Sequence, residues 1–67
     1  MITYKPLWKT LIDKDMKKMD LVNNGIVSRG TLAKMSKNQN ISLDAVEKIC
    51  GFLHCKVEQV IAYEDTL

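Results

Sequence analysis

The sequence predicts an all-α domain of five short helices joined by tight loops. Three observations predict it. Apolar residues recur at three- and four-residue spacings, serines stand where two of those runs begin, and breaker clusters separate the runs. Strand-forming residues gather only at the two ends, where Ile2 to Tyr4 and Ile61 to Glu64 could pair as a small ribbon.

Pro6 suits a first helical position, and Leu7, Trp8, Leu11 and Ile12 follow at helical spacing, with the helix fading around Lys14. A second helix is expected from Lys17 to Asn24, with Leu21 inward and either Met19 or Val22 beside it. Asn23-Asn24-Gly25 ends it, because Gly25 tolerates the positive φ that a helix terminus asks for. Ser28 caps a third helix over 28–37, with Leu32 and Met35 on its inner side and Asn38-Gln39-Asn40 after it. Ser42 caps the fourth, whose stripe is Leu43, Val46, Ile49, Cys50 and Leu53. Asp44 in its first turn complements the helix dipole. Val57 to Ala62 fits a short last helix carrying Val57, Val60 and Ile61.

At 67 residues the chain reads as one domain, 1–67, with a thin core, since a domain of this size buries only about 60% of its unfolded surface. The net charge of +2 hides an asymmetry. Up to Asn40 there are eight Lys/Arg against three Asp, a balance of +5; beyond it, two Lys against five Asp/Glu, a balance of −3. Such a division orients a domain on a polyanion. No stretch approaches the ~20 apolar residues of a membrane span. The N-terminal MITYKPLW has no apolar core or cleavage site of a signal peptide, so a reduced, cytoplasmic setting is expected.

Two short helices around a glycine-containing turn match the outline of a helix-turn-helix, here about 17–37. With Leu21, Val27, Leu32 and Met35 inward, Ser28, Arg29, Gly30, Ala33, Lys34 and Lys37 are left on the outer face of the second helix. That face has donors and small residues and no acid. In a major groove, Arg or Lys can read the O6 and N7 acceptors of guanine. Backbone N–H groups at the helix starts, with Lys17 and Lys18, could hold phosphates.

The segment KKMDLVNNGIVSRGTLAKMSK resembles the helix-turn-helix unit of the phage repressor and Cro-type (XRE) family of transcriptional regulators. KPLWKTL and ISLDAVEKICGFLHC resemble compact, stand-alone bacterial members. The resemblance implies a lambda-repressor-like bundle of five helices whose third helix is the recognition helix. Its base-reading positions match Arg29, Gly30, Ala33 and Lys34. Its phosphate-contacting positions match Lys18, Ser28 and the loop from Lys37 to Asn40, and with the helix-start donors this gives a phosphate set of Lys17, Lys18, Ser28, Thr31, Lys37, Asn38 and Asn40. The implied protein is a sequence-specific double-stranded DNA-binding repressor, acting as a homodimer on half-sites about one helical turn apart. Tyr63 and Leu67 are the candidate apolar anchors of that dimer.

Three positions depart from the family pattern. Val22 stands where relatives carry a small residue between the two helices, and Ile26 where they carry the turn glycine, with Gly25 one position early. Either the turn is remodelled by one residue or Ile26 takes a left-handed conformation that costs about 1 kcal/mol or more. The crossing of the two helices hangs on which. Lys56 replaces the Ser that caps the last helix in relatives.

Other chemistry is poorly supplied. CGFLHC offers Cys50, His54 and Cys55 as metal ligands, but a structural zinc wants four and the chain has no other His or Cys. Cys50 is better read as a small apolar core residue, and a Cys50–Cys55 disulfide would be awkward across a helix end. The single His has no nucleophilic partner at a motif spacing, and Asp13 with Asp15 reads as a solvated helix end. No enzyme, cofactor, metal or small-molecule ligand is expected. Trp8 is read as core beside Leu7 and Leu11, and Met16, Met19 and Met35 as gap-fillers. The rival reading is an antitoxin-like or adaptor module that uses the same fold to bind a protein.

Overall fold

In the computed structural model, which describes residues 1–65, the elements run β1 (Ile2–Thr3), α1 (Lys5–Asp13), α2 (Lys18–Asn23), α3 (Arg29–Ser36), α4 (Leu43–Leu53), one turn of 3-10 helix (Val57–Gln59) and β2 (Ala62–Tyr63). Pro6 lies in the first turn of α1, where a missing N–H costs nothing. Ser28 and Ser42 cap as expected: the hydroxyl of Ser28 accepts from Thr31 N–H at 3.0 Å, and that of Ser42 from Ala45 N–H at 3.1 Å.

All four α-helices end on a residue of left-handed conformation, at Asp15, Gly25, Asn38 and His54. The following N–H then turns back to a carbonyl five residues earlier: Met16 to Leu11, Ile26 to Leu21, Gln39 to Lys34 and Cys55 to Cys50. Asp15, expected as a solvated helix end, is a turn former as well. Asp and Asn tolerate this conformation because their short polar side chains bond locally.

The core takes Leu7 and Leu11 from α1, Leu21 from α2, Met35 from α3, and Val46, Ile49 and Leu53 from α4. Tyr4, Val27 and Val60 close it. Each such side chain stabilises the fold by about 1.5–3 kcal/mol through loss of apolar surface from water. Buried polar atoms are paired: the Thr10 hydroxyl lies 2.8 Å from the Gln59 carbonyl and 2.9 Å from that of Pro6, pinning the 3-10 turn to α1.

The end ribbon is present and antiparallel, with Ile2 opposite Tyr63 and Thr3 opposite Ala62. The Met1 ammonium donates to the Glu64 carbonyl at 2.9 Å, Glu64 N–H donates to Met1, and Lys5 pairs with the Glu64 carboxylate at 3.1 Å.

Some expectations need correction. The fifth helix is only a single 3-10 turn at Val57–Gln59. Val57, Val60 and Ile61 are β-branched and weak helix formers, and pairing with β1 draws the next residues into extended backbone. Three residues given to the apolar stripes face water: Ile12 is 74% exposed, Leu43 81% and Val57 53%. Each sits in the first or last turn of its element, where the stripe runs past the neighbour it would pack on. Of the alternatives on α2, Val22 is half-buried against the core while Met19 is exposed. Among the described residues, no helix is long and apolar enough to cross a membrane.

Candidate nucleic-acid interface

The turn between α2 and α3 is settled by its backbone. Gly25 takes the left-handed conformation, φ 70°, and Ile26 does not. Gly25 N–H donates to Val22, and Ile26 N–H to Leu21 at 2.9 Å. The turn is therefore remodelled by one residue, and Ile26 is left half-buried against the core without strain. Val22 is accommodated the same way, half-buried against the core.

On α3, Met35 is fully buried and Leu32 half-buried, which fixes the roll of the helix. Arg29, Gly30, Ala33, Lys34 and Lys37 are all exposed on its remaining surface. Four of them, Arg29, Gly30, Ala33 and Lys34, are the base-reading candidates, and all lie on one helix. None of Arg29, Lys34 and Lys37 is within salt-bridge distance of an acid among the described residues, where the pairs are Lys5–Glu64 and Lys48–Asp44. A Cβ added at Gly30 would meet only the Ser28 hydroxyl, at 3.8 Å, so nothing in the fold requires a glycine there.

The phosphate candidates lie at the starts of α2 and α3 and in the loop after α3. Ser28 Oγ donates to Thr31 Oγ1 at 3.0 Å while accepting from Thr31 N–H, so the two hydroxyls are tied together at the start of α3. Lys17 is exposed at the start of α2, where its N–H donates to the Asp20 carboxylate at 2.8 Å. Lys37 and Asn40 are exposed beyond the end of α3, and Asn38 is half-buried at its left-handed terminus. That loop is held from beneath: the hydroxyl of buried Tyr4 donates to the Gln39 carbonyl at 2.6 Å. Burial pushes the Tyr4 phenol above its ordinary range, so it remains a donor.

One contact went unread in the sequence. The Lys18 ammonium lies over the Trp8 ring, 4.2 Å from its centroid. Trp8 is only half-buried, packed against the core and tilted on Tyr4 with centroids 6.5 Å apart. Lysine and tryptophan stand ten positions apart in sequence, so no local spacing would have signalled it.

Elsewhere, Cys50 and Cys55 are free, half-buried thiols at the end of α4. Burial and the neighbouring Cys55 push the Cys50 thiol up, as suits a packed apolar residue. No group of three or more metal-ligating side chains forms among the described residues. An apolar groove of about 190 Å³ lies between the ribbon and the start of α4, lined by Ile2, Ile41, Leu43 and Ile61 among others. Tyr63, paired with Ile2, stands 73% exposed beside it. Leu67, the other suggested anchor, lies outside the described residues.

A capped helix, joined by a glycine turn to a shorter helix and presenting an acid-free basic face, has the outline of a helix-turn-helix DNA-binding module. Comparison with known proteins agrees. The Cro/C1-type HTH DNA-binding domain matches residues 6–66, so the chain belongs to that family. The fold is also that of the transcriptional regulator VanUg, with a TM-score of 0.86 and 44% identity over 91% of this chain and 81% of that one. No curated protein matches the chain.

Proposed function

We propose that this domain is a sequence-specific regulator of transcription that binds duplex DNA by laying α3 in the major groove, and that it acts as a repressor. The observation that carries the reading is the outer face of α3: exposed Arg29, Gly30, Ala33 and Lys34, with Met35 as the buried anchor behind them. Arg29 and Lys34 read guanine edges, while Gly30 and Ala33 let the helix come close. Lys17, Lys18, Ser28, Thr31, Lys37, Asn38 and Asn40 hold phosphates and set the register. The 44% identity to a transcriptional regulator supports the role.

One module has limited affinity, so the working unit is a homodimer on two half-sites about one helical turn apart. The groove beside Tyr63 is the surface that favours it, since a self-complementary contact needs an apolar anchor and a place to receive it. The same groove favours the second reading, an adaptor or antitoxin-like module that binds another protein.

Selection of preferred duplexes from a random pool, followed by salt titration, separates the two. The regulator enriches a two-fold symmetric site and loses affinity steeply with salt. No binding to any duplex at about 50 mM salt would leave the protein-binding reading. Within a positive result, Arg29→Ala and Lys34→Ala should each lower discrimination at particular base pairs by about 1–3 kcal/mol, whereas Lys18→Ala should weaken all sequences alike. Uniform losses in all three would remove the assignment of α3 as the reader.

A further inference from the structure

We infer that Trp8 is a positioning residue for DNA binding: its ring holds the Lys18 ammonium in place for a backbone phosphate without neutralising it. The inference rests on the DNA-binding reading above and adds a part to that interface from α1, outside the helix-turn-helix.

Three features carry it. The ammonium sits 4.2 Å from the ring centroid, within the ~6 Å over which a cation is drawn to an aromatic face. Among the described residues, Lys18 has no carboxylate within salt-bridge distance; the nearby acid Asp20 is engaged in capping Lys17 N–H. A carboxylate would hold the lysine equally well but would cancel the charge that an anion needs. A ring quadrupole holds it and leaves the full positive charge available. Finally, the ring is itself fixed. It packs on the core and against Tyr4, whose hydroxyl is tied to the Gln39 carbonyl in the loop after α3. Lys18 and the α3–α4 loop therefore rest on one aromatic platform, which sets their spacing before DNA arrives. A free lysine must lose rotamer freedom on binding; a lysine already ordered on a ring loses less.

The plain alternative is that the aliphatic stem of Lys18 merely covers apolar ring surface. Fluorination of the ring separates the two, since it weakens the quadrupole while keeping shape and apolarity. The chain has a single Trp, so fluorotryptophans of increasing substitution label position 8 alone. The unmodified chain's affinity for its selected duplex is measured first; if none is found at about 50 mM salt, the DNA-binding reading itself fails. Given binding, affinity should fall progressively with fluorination, to about two- to five-fold at full loss of the cation–π attraction. In the Lys18→Ala background the fluorination series should be flat, and that variant should lower the slope of log affinity against log salt by about 0.9, one phosphate. Trp8→Leu, checked for folding by circular dichroism, should show the same dependence on Lys18. The inference is overturned if fluorination leaves affinity unchanged, if it lowers affinity equally with and without Lys18, or if Lys18→Ala leaves the salt slope intact.

Discussion

Helix α3 commits one side chain, Met35, wholly to the core, whereas α4 commits three: Val46, Ile49 and Leu53. The difference extends to their ends and surfaces. The exposed part of α3 carries Arg29, Lys34 and the following Lys37 with no acid, while α4 exposes Asp44 and Glu47 with Lys48 paired to Asp44 at 3.4 Å. Of the eight basic residues among the first forty, Arg29, Lys34 and Lys37 lie on or just beyond α3, whereas α4 carries two acids and one base. A helix held by one deep anchor and a capped start keeps most of its circumference free for a partner. A helix held by three gives that freedom up for rigidity.

Breaking the supporting side should have the largest effect. Ile49→Ala opens a cavity at a fully buried side chain on the inner face of α4 and should cost about 2–5 kcal/mol, read from urea unfolding followed by circular dichroism. A core of this size rarely supplies more than about 3–5 kcal/mol, so the variant should be largely unfolded and fail to bind DNA for that reason alone. The α3 side should respond in the opposite sense. Gly30→Ala makes only an ordinary contact with the Ser28 hydroxyl, at 3.8 Å, and should stabilise α3 by up to about 1 kcal/mol, less than in mid-helix because the first turn has no intrahelical acceptor for its N–H. With α3 seated in the major groove as proposed, its affinity for the preferred duplex should nevertheless fall, since the added methyl would stand between backbone and base edges. An unchanged affinity would mean that Gly30 is only tolerated.

The smallest effect is with pH, and it touches both sides. The Tyr4 phenol and the Cys50 thiol are both raised by burial, above ordinary values of 10.0 and 9.0. The unfolded chain therefore loses these protons first, and their contribution to stability is complete below pH 9 and declines as pH rises through and beyond those values. Unfolding midpoints measured from pH 8 to 11 should fall, and the slope should be shallower in Cys50→Ala.

Most of the framework was legible because its signals are local. Ser28 and Ser42 announce helix starts by hydroxyl chemistry, Gly25 announces a turn by its permitted φ, and the pairs Leu7/Leu11 and Ile49/Leu53 announce faces by periodicity. Spacing fixes the angle of a residue around its helix and says nothing of how far the neighbour extends. Ile12, Leu43 and Val57 carry the right angle and overshoot the contact. The last helix was lost to a competing pairing sixty residues away, which no window along the chain reveals. In the candidate interface, the exposure of Arg29, Gly30, Ala33 and Lys34 followed from which face of α3 was left over. The Trp8–Lys18 contact did not, because it depends on the left-handed turn at Asp15 that brings the start of α2 back beside α1.

The ribbon has a consequence for the order in which the molecule assembles. Met1 and Glu64 exchange hydrogen bonds across sixty-three residues, the longest loop closed by any contact described above. Closing a loop costs entropy that grows with the logarithm of its length, so this pairing is the least favourable to form early and the easiest to lose. The helices, whose contacts are local, can collapse first, and the ribbon then acts as a latch drawn shut over an existing core. Joining the two ends through a short linker would turn that latch into a hinge: the most distant contact in the chain would become one of the nearest. New ends could then be opened in an exposed turn elsewhere, with the basic face of α3 left untouched.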